Sequence, residues 1–156
     1  MAATADIKLL KKLREETAAS IADCRIALEE SDNDYKKALA FIRKRSAEKA
    51  EKKSDRKTSQ GLVEAYIHQN GKVGAIVELA CETDFVARTD EFKNLAHEIA
   101  MQVAAMAPKD VESLLKQEYI RATSLTIQEL IKQTIGKLGE NIVIKRFTRY
   151  ELSPND

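Results

Sequence analysis

Leu62-Val63-Glu64-Ala65-Tyr66-Ile67-His68 and Val73-Gly74-Ala75-Ile76-Val77-Glu78-Leu79, joined by Gln69-Asn70-Gly71-Lys72, decide the fold class of this chain. Both runs are strand-like in length and make-up, and Asn-Gly between two such runs is the strongest short hairpin signal a sequence carries. Downstream the period becomes helical. Phe92, Leu95, Ala96, Ile99, Val103 and Met106 line one face of a long helix that begins near Thr89 and is ended by Pro108. Thr126 and Glu129 form a capping box for a further helix through Ile127, Leu130, Ile131, Ile135 and Leu138, with Gly139 as its C-cap. Ile142 to Tyr150, rich in β-branched and aromatic residues, is a last strand. Hairpin, helix, helix and strand predict an α+β layer: a small antiparallel sheet packed with helices on one face. Between these signals, residues 109–124 carry Val111, Leu114, Leu115, Tyr119 and Ile120 with no period that decides helix or strand.

Upstream, residues 4–45 read as three short helices. Ile7, Leu10 and Leu13 share one face of the first, and Ile21, Cys24 and Leu28 mark the second, opened by a Ser20/Asp23 capping pair. Asp32-Asn33-Asp34 starts the third, with Tyr35, Leu39 and Ile42 on one face. About 40 residues is the lower limit for an independent core, so this unit is marginal alone. Residues 46–60 read as a charged linker into which the third helix can extend. The expected segmentation is therefore a three-helix module at 1–45, a linker at 46–60 and an α+β core at 61–156.

The chain has 156 residues, 44% hydrophobic and 33% charged, with a net charge of +1. That composition fits a globular protein with a well-solvated surface, and a near-neutral balance demands no polyanionic partner. No apolar run reaches the ~18 residues of a membrane span, and Met1 to Asp6 lacks the basic start and apolar core of a signal peptide. Two cysteines, Cys24 and Cys81, fit a reducing compartment. With His68 and His97 they match no zinc spacing, so no metal and no cofactor is expected. The basic residues of the linker (Arg43, Lys44, Arg45, Lys49, Lys52, Lys53) are interrupted by Glu48 and Glu51 and interleaved with no aromatic, which favours a solvated face over nucleic acid.

Catalysis has no obvious carrier. The five glycines never form a phosphate loop followed by Lys and Ser or Thr, and no serine sits in a nucleophile elbow. The informative stretch is instead Cys81-Glu82-Thr83-Asp84-Phe85-Val86, which puts a large aromatic beside a carboxylate in a strand-to-helix loop. Phe85 either folds back as core or projects as a partner contact, and residue chemistry alone balances the two. Asp84 either caps the amides of Val86 or Ala87 or meets a partner.

Those residues carry a resemblance. Cys81 to Arg88, Leu13-Arg14-Glu15-Glu16-Thr17, Asp23-Cys24 and Gly139-Glu140-Asn141-Ile142 are similar to bacterial and organellar elongation factor Ts over nearly the whole chain. The resemblance implies a guanine nucleotide exchange factor, not an enzyme, acting on GDP-bound and nucleotide-free elongation factor Tu in the cytoplasm. It implies a ubiquitin-associated-like N-terminal module and three contacts: a wedge at Thr83, Asp84, Phe85 and Val86; a docking turn at Arg14, Ile21 and Ala22; and a third at Leu138 and Gly139. Asp84 and Phe85 would disturb the partner's Mg²⁺ and phosphate environment.

The chain departs from the family pattern in three places. Thr17-Ala18-Ala19-Ser20 stands where Thr-Gly-Ala-Gly is common, Ile21-Ala22 replaces a Met-Met pair, and a helical excursion is missing between Val111 and Leu114. The second core repeat and C-terminal module of long members are also absent, so a single core half is expected to expose a sheet edge and an apolar face that a homodimer would cover. The competing readings are a degenerate binder of elongation factor Tu without exchange activity, a ubiquitin- or nascent-chain-binding module, and an RNA- or ribosome-associated accessory protein. The last is motivated by the basic linker with Lys145, Arg146 and Arg149.

Overall fold

Asp6, Ser20 and Asp34 each begin a helix by accepting hydrogen bonds from backbone amides of the first turn. The helices are α1 (Ile7–Thr17), α2 (Ile21–Glu30) and α3 (Tyr35–Lys53). The structure, a computed structural model, describes residues 3–153; the outermost residues of the expected segments, 1–2 and 154–156, lie outside them. Leu13, Cys24, Ala27, Leu28, Ala38 and Ile42 close a small core among the three helices. The Ser20/Asp23 pair is half a capping box. Ser20 caps the Asp23 amide at 3.1 Å, but the Asp23 carboxylate accepts the Ser20 hydroxyl instead of its amide and turns to α3.

The expected linker at 46–60 needs correction over its first half. α3 continues unbroken to Lys53, and Ala50 is 5% exposed within the main core. The extension of the third helix into this segment was readable, but its charged residues hid the packing of Ala50, because one small apolar residue suffices where a helix packs closely. Only residues 54–59 are left to lead into the sheet.

That sheet comprises β1 (Gln60–Ile67), β2 (Val73–Cys81) and β5 (Ile142–Glu151), all antiparallel, in the order β1-β2-β5. Gly61 has φ +151°, and a Cβ there would lie 2.1 Å from the Leu79 carbonyl oxygen, so only glycine lets β1 start this close to β2. Between β2 and β5 the chain forms α4 (Asp84–Ala87), α5 (Asp90–Met106), α6 (Val111–Lys116), the small hairpin β3 (Glu118–Tyr119) and β4 (Ala122–Thr126), and α7 (Ile127–Leu138). Val77 and Leu79 from the sheet meet Phe92, Ile99 and Val103 of α5 and Ile127 of α7, all fully buried. At about 25 cal/mol per Å² of apolar area, this covered face is the main source of stability.

The segment with no readable period, 109–124, is thus a short helix followed by a hairpin. Much of its order comes from polar groups on α5. Gln102, fully buried, donates to Gln117 Oε1 at 3.2 Å and the Glu118 carbonyl at 3.0 Å, and accepts from the Ile120 amide at 3.1 Å. Glu98 accepts from the Tyr119 hydroxyl at 2.5 Å and pairs with Arg121 at 2.7 Å. Burial, and then the Glu98 carboxylate, push the Tyr119 hydroxyl well above its ordinary value, so it stays a donor.

Candidate protein-binding site

Two side-chain caps in succession shape the turn after β2. The Thr83 hydroxyl accepts from the Val86 amide at 3.3 Å and starts the single turn of α4; the Thr89 hydroxyl accepts from the Phe92 amide at 3.2 Å and starts α5. Val86 and Ala87 are buried against the core, 6% and 8% exposed. A one-turn helix that buries these two positions must point the preceding one outward, and Phe85 is 80% exposed. The choice between core and surface for Phe85 therefore falls to the surface. Asp84 does not cap: Thr83 occupies that role, and Asp84 pairs with Arg88 at 2.8 Å, both well exposed.

The turn is braced from elsewhere in the chain. Glu140 accepts from the Thr83 amide at 2.9 Å and the Thr83 hydroxyl at 2.7 Å. In return, Glu82 accepts from the Asn141 amide at 2.8 Å and lies 3.6 Å from the Arg56 guanidinium. Asn141, 5% exposed, donates to the carbonyls of Ser54 at 3.3 Å and Arg56 at 3.0 Å. The Cys81 thiol, 3.1 Å from the Thr83 carbonyl, donates to it; burial, with the Glu140 charge adding to it, pushes this thiol up and keeps it protonated. Glu82, Glu140 and Asn141 had no assigned structural role from sequence, and no spacing rule reaches across 57 residues.

Leu138 is half-buried against the core, and Gly139 is exposed at φ +79° with nothing within 4 Å of a built Cβ, so its left-handed conformation alone calls for glycine. The structure therefore brings Thr83 to Val86 and the Leu138–Gly139 end together through Glu140. Arg14, Ile21 and Ala22 form a second exposed group at the α1–α2 turn, with Ile21 54% exposed. A cleft of about 620 Å³, lined by Arg14, Thr17, Ser20, Lys49, Gln133 and Lys137 among others, lies between that turn and α7. Asp23 beside it pairs with Arg45 at 3.2 Å and Lys49 at 3.0 Å. Burial raises the Asp23 carboxyl, but hydrogen bonds from Lys49 and Ser20 and the charges of Lys49 and Arg45 outweigh it and hold the group below its ordinary value.

Among the described residues no group of His, Cys, Asp and Glu is arranged to hold a metal ion, and no helix is long and apolar enough to cross a membrane. His97 lies 3.5 Å from Glu64.

The architecture defines a three-helix module joined by one continuous helix to an α+β layer that presents an aromatic on a braced turn. The family model described as Elongation factor TS matches residues 82–156. A protein named Elongation factor Ts from Thermotoga neapolitana is 41% identical over 187 aligned positions, covering 92% of this chain and 95% of the relative. One of the same name from Nostoc sp. is 47% identical over 146 positions, 94% of this chain and 46% of the relative. Another, from Thermoanaerobacter sp., is 40% identical, covering 91% of this chain and 92% of the relative. This chain belongs to the elongation factor Ts family. The 187 positions of the Thermotoga alignment exceed the 156 residues here, so that relative has residues with no counterpart in this chain.

Proposed function

We propose that this chain promotes GDP release from elongation factor Tu during translation elongation in the cytoplasm, by inserting Phe85 and Asp84 beside the partner's Mg²⁺ and phosphate site. The observation that carries the reading is Phe85, 80% exposed on a turn whose flanking residues are buried and capped. An exposed aromatic held rigid loses little conformational entropy on binding, so most of its burial appears as affinity. Exchange follows from linkage: a protein that binds the nucleotide-free partner more tightly than the GDP-bound one weakens GDP by the same factor. No chemistry on the nucleotide is required of this chain. The three-helix module, read as ubiquitin-associated-like, supplies a second contact on the partner's GTPase domain through Arg14, Ile21 and Ala22, and Leu138 and Gly139 border the first.

The test is stopped-flow release of a fluorescent GDP analogue from elongation factor Tu. Acceleration by the parent, largely lost in Phe85→Ala, supports the wedge. Binding without acceleration makes this chain a binder that does not exchange. Binding to RNA that weakens steeply with salt, and none to elongation factor Tu, supports the accessory-protein reading.

A second copy of the chain is a further partner. The sheet face away from the helices exposes Val63 at 67%, Ile67 at 65%, Ile76 at 43% and Tyr150 at 73%, and β1 and β5 are its outer strands. Such a face is self-complementary about a two-fold axis: its apolar residues stack, and the Glu78–Arg146 pair at 2.7 Å offers both charges to its symmetry mate. Light scattering at micromolar concentration should give twice the chain mass, and Ile76→Lys should return it to one; a monomeric parent removes the reading.

A further inference from the structure

The structure assigns Glu140 as the positioning residue for Phe85: its carboxylate, reaching from the α7–β5 loop, sets the direction in which the aromatic leaves the turn. This inference rests on the exchange reading above and adds a residue to it.

Three observations converge on that carboxylate. Both of its oxygens are engaged with one residue, Thr83, through the amide at 2.9 Å and the hydroxyl at 2.7 Å. The same hydroxyl accepts from the Val86 amide, so Glu140 fixes the rotamer of the cap that starts the turn of Phe85. Thr83 is itself exposed, which leaves burial unable to hold it. The exchange is reciprocal: Glu82, one residue before Thr83, accepts from the amide of Asn141, one residue after Glu140. Two loops far apart in sequence are thus cross-linked by acids, each receiving the amide of the other loop. Asn141 extends the clasp to the carbonyls after α3, the helix that also forms part of the three-helix module.

A carboxylate in this position does something a buried apolar contact would not. It orients one backbone amide and one hydroxyl by charge-assisted bonds while leaving the turn open to solvent on its outer side. Removing it leaves the fold of the sheet and helices in place, because its hydrogen bonds go to Thr83 and to no core side chain, but frees Thr83 to rotate. Phe85 then samples several directions and meets the partner in the right one only part of the time.

The chain contains no tryptophan, so Phe85→Trp gives a single fluorescent reporter at the site. In that background the anisotropy decay of the free protein is compared for Glu140, Glu140→Ala and Glu140→Gln. Alanine should add fast local motion at position 85, and glutamine, which can still accept from the amide and donate to the hydroxyl, should largely restore the parent decay. In the Phe85 protein, Glu140→Ala should lower the GDP release rate at saturation by about 10- to 100-fold, with a smaller change in the half-saturating concentration. Glutamine should recover most of that rate. Should the alanine variant not fold, Glu140→Asp carries the same comparison, since the shorter side chain cannot reach both Thr83 groups. An unchanged decay in the folded variant overturns the positioning role, whatever the exchange assay gives. Parent protein that fails to accelerate release overturns the exchange reading, while the anisotropy measurement still decides whether Glu140 holds the turn.

Discussion

The turn that carries Phe85 donates hydrogen bonds to a residue 57 positions away, whereas the turn from Thr17 to Ala22 is held mainly by its neighbours. Thr17 bonds back to the Leu13 carbonyl at 2.7 Å and forward to the Ala19 amide at 3.3 Å, and Ser20 closes on Asp23. The first turn also has the larger core beneath it; the second stands on a cluster of six buried residues. The difference separates two ways of holding exposed side chains in place. Long-range bracing fixes one aromatic in one direction, while local capping fixes the shape of a helical module that presents several modest side chains.

Removing the support of the smaller region should have the largest effect. Leu28→Ala deletes a fully buried side chain from the six-residue cluster and should cost about 2–5 kcal/mol, more than a unit of this size can spare. Hydrogen exchange should show lost protection in α1 and α2 with β2 and β5 still protected. Loss in all four together would mean that α3, with Ile42 in one core and Ala50 in the other, makes the molecule a single cooperative unit.

At the contacts themselves the expected ranking follows exposure and rigidity. Phe85→Ala should cost ~2–4 kcal/mol in binding elongation factor Tu, while Ile21→Ala should cost about 1 kcal/mol. Each should leave thermal stability within about 0.5 kcal/mol, because both side chains are more than half exposed. Equal effects from the two substitutions would erase the distinction between a braced wedge and a plain docking surface.

What could be read in the sequence follows the same division. The hairpin at Asn70-Gly71, the apolar stripe of α5 and the capping box at Thr126 and Glu129 are local patterns, and the structure has all three. The direction of Phe85 was not local: it depends on Val86 and Ala87 being buried and on Glu140 reaching Thr83. Residues 109–124 were unreadable for a related reason, since Gln102 and Glu98 of α5 satisfy that segment's polar groups. Ala50 shows the opposite failure, a core residue hidden among charges. The family resemblance pointed to candidate contact residues without saying what holds them.

The Thr17 to Ala22 turn carries a strain that a third substitution can expose. Ala18 ends α1 at φ 54°, ψ 14°, the left-handed region where a Cβ is disfavoured by roughly 1–2 kcal/mol. The family resemblance places glycine at this position. Ala18→Gly relieves the strain but loosens the unfolded chain, so a net gain of about 0.5–1 kcal/mol is expected, seen as a rise of a few degrees in the melting midpoint. No gain would mean that the local capping around Thr17 already tolerates the alanine.

The smallest effect concerns the link from that module to α3. The folded Asp23 carboxyl titrates below its ordinary 3.8, so its ion pairs with Lys49 and Arg45 stabilise the protein fully above that value. The contribution is lost as pH falls through the lower, folded value, where the native carboxylate finally takes a proton. Both cations are partly exposed, which limits the gain to about 1 kcal/mol or less. In denaturant titrations the parent should exceed Asp23→Asn by a constant margin from neutrality to about pH 5, and the margin should shrink at more acid pH. The Ser20 cap on the residue 23 amide survives in both proteins, so any shrinkage reports the charge alone. A margin independent of pH would assign the role of Asp23 to hydrogen bonding that asparagine cannot copy, and α2 would then be tied to α3 by geometry more than by charge.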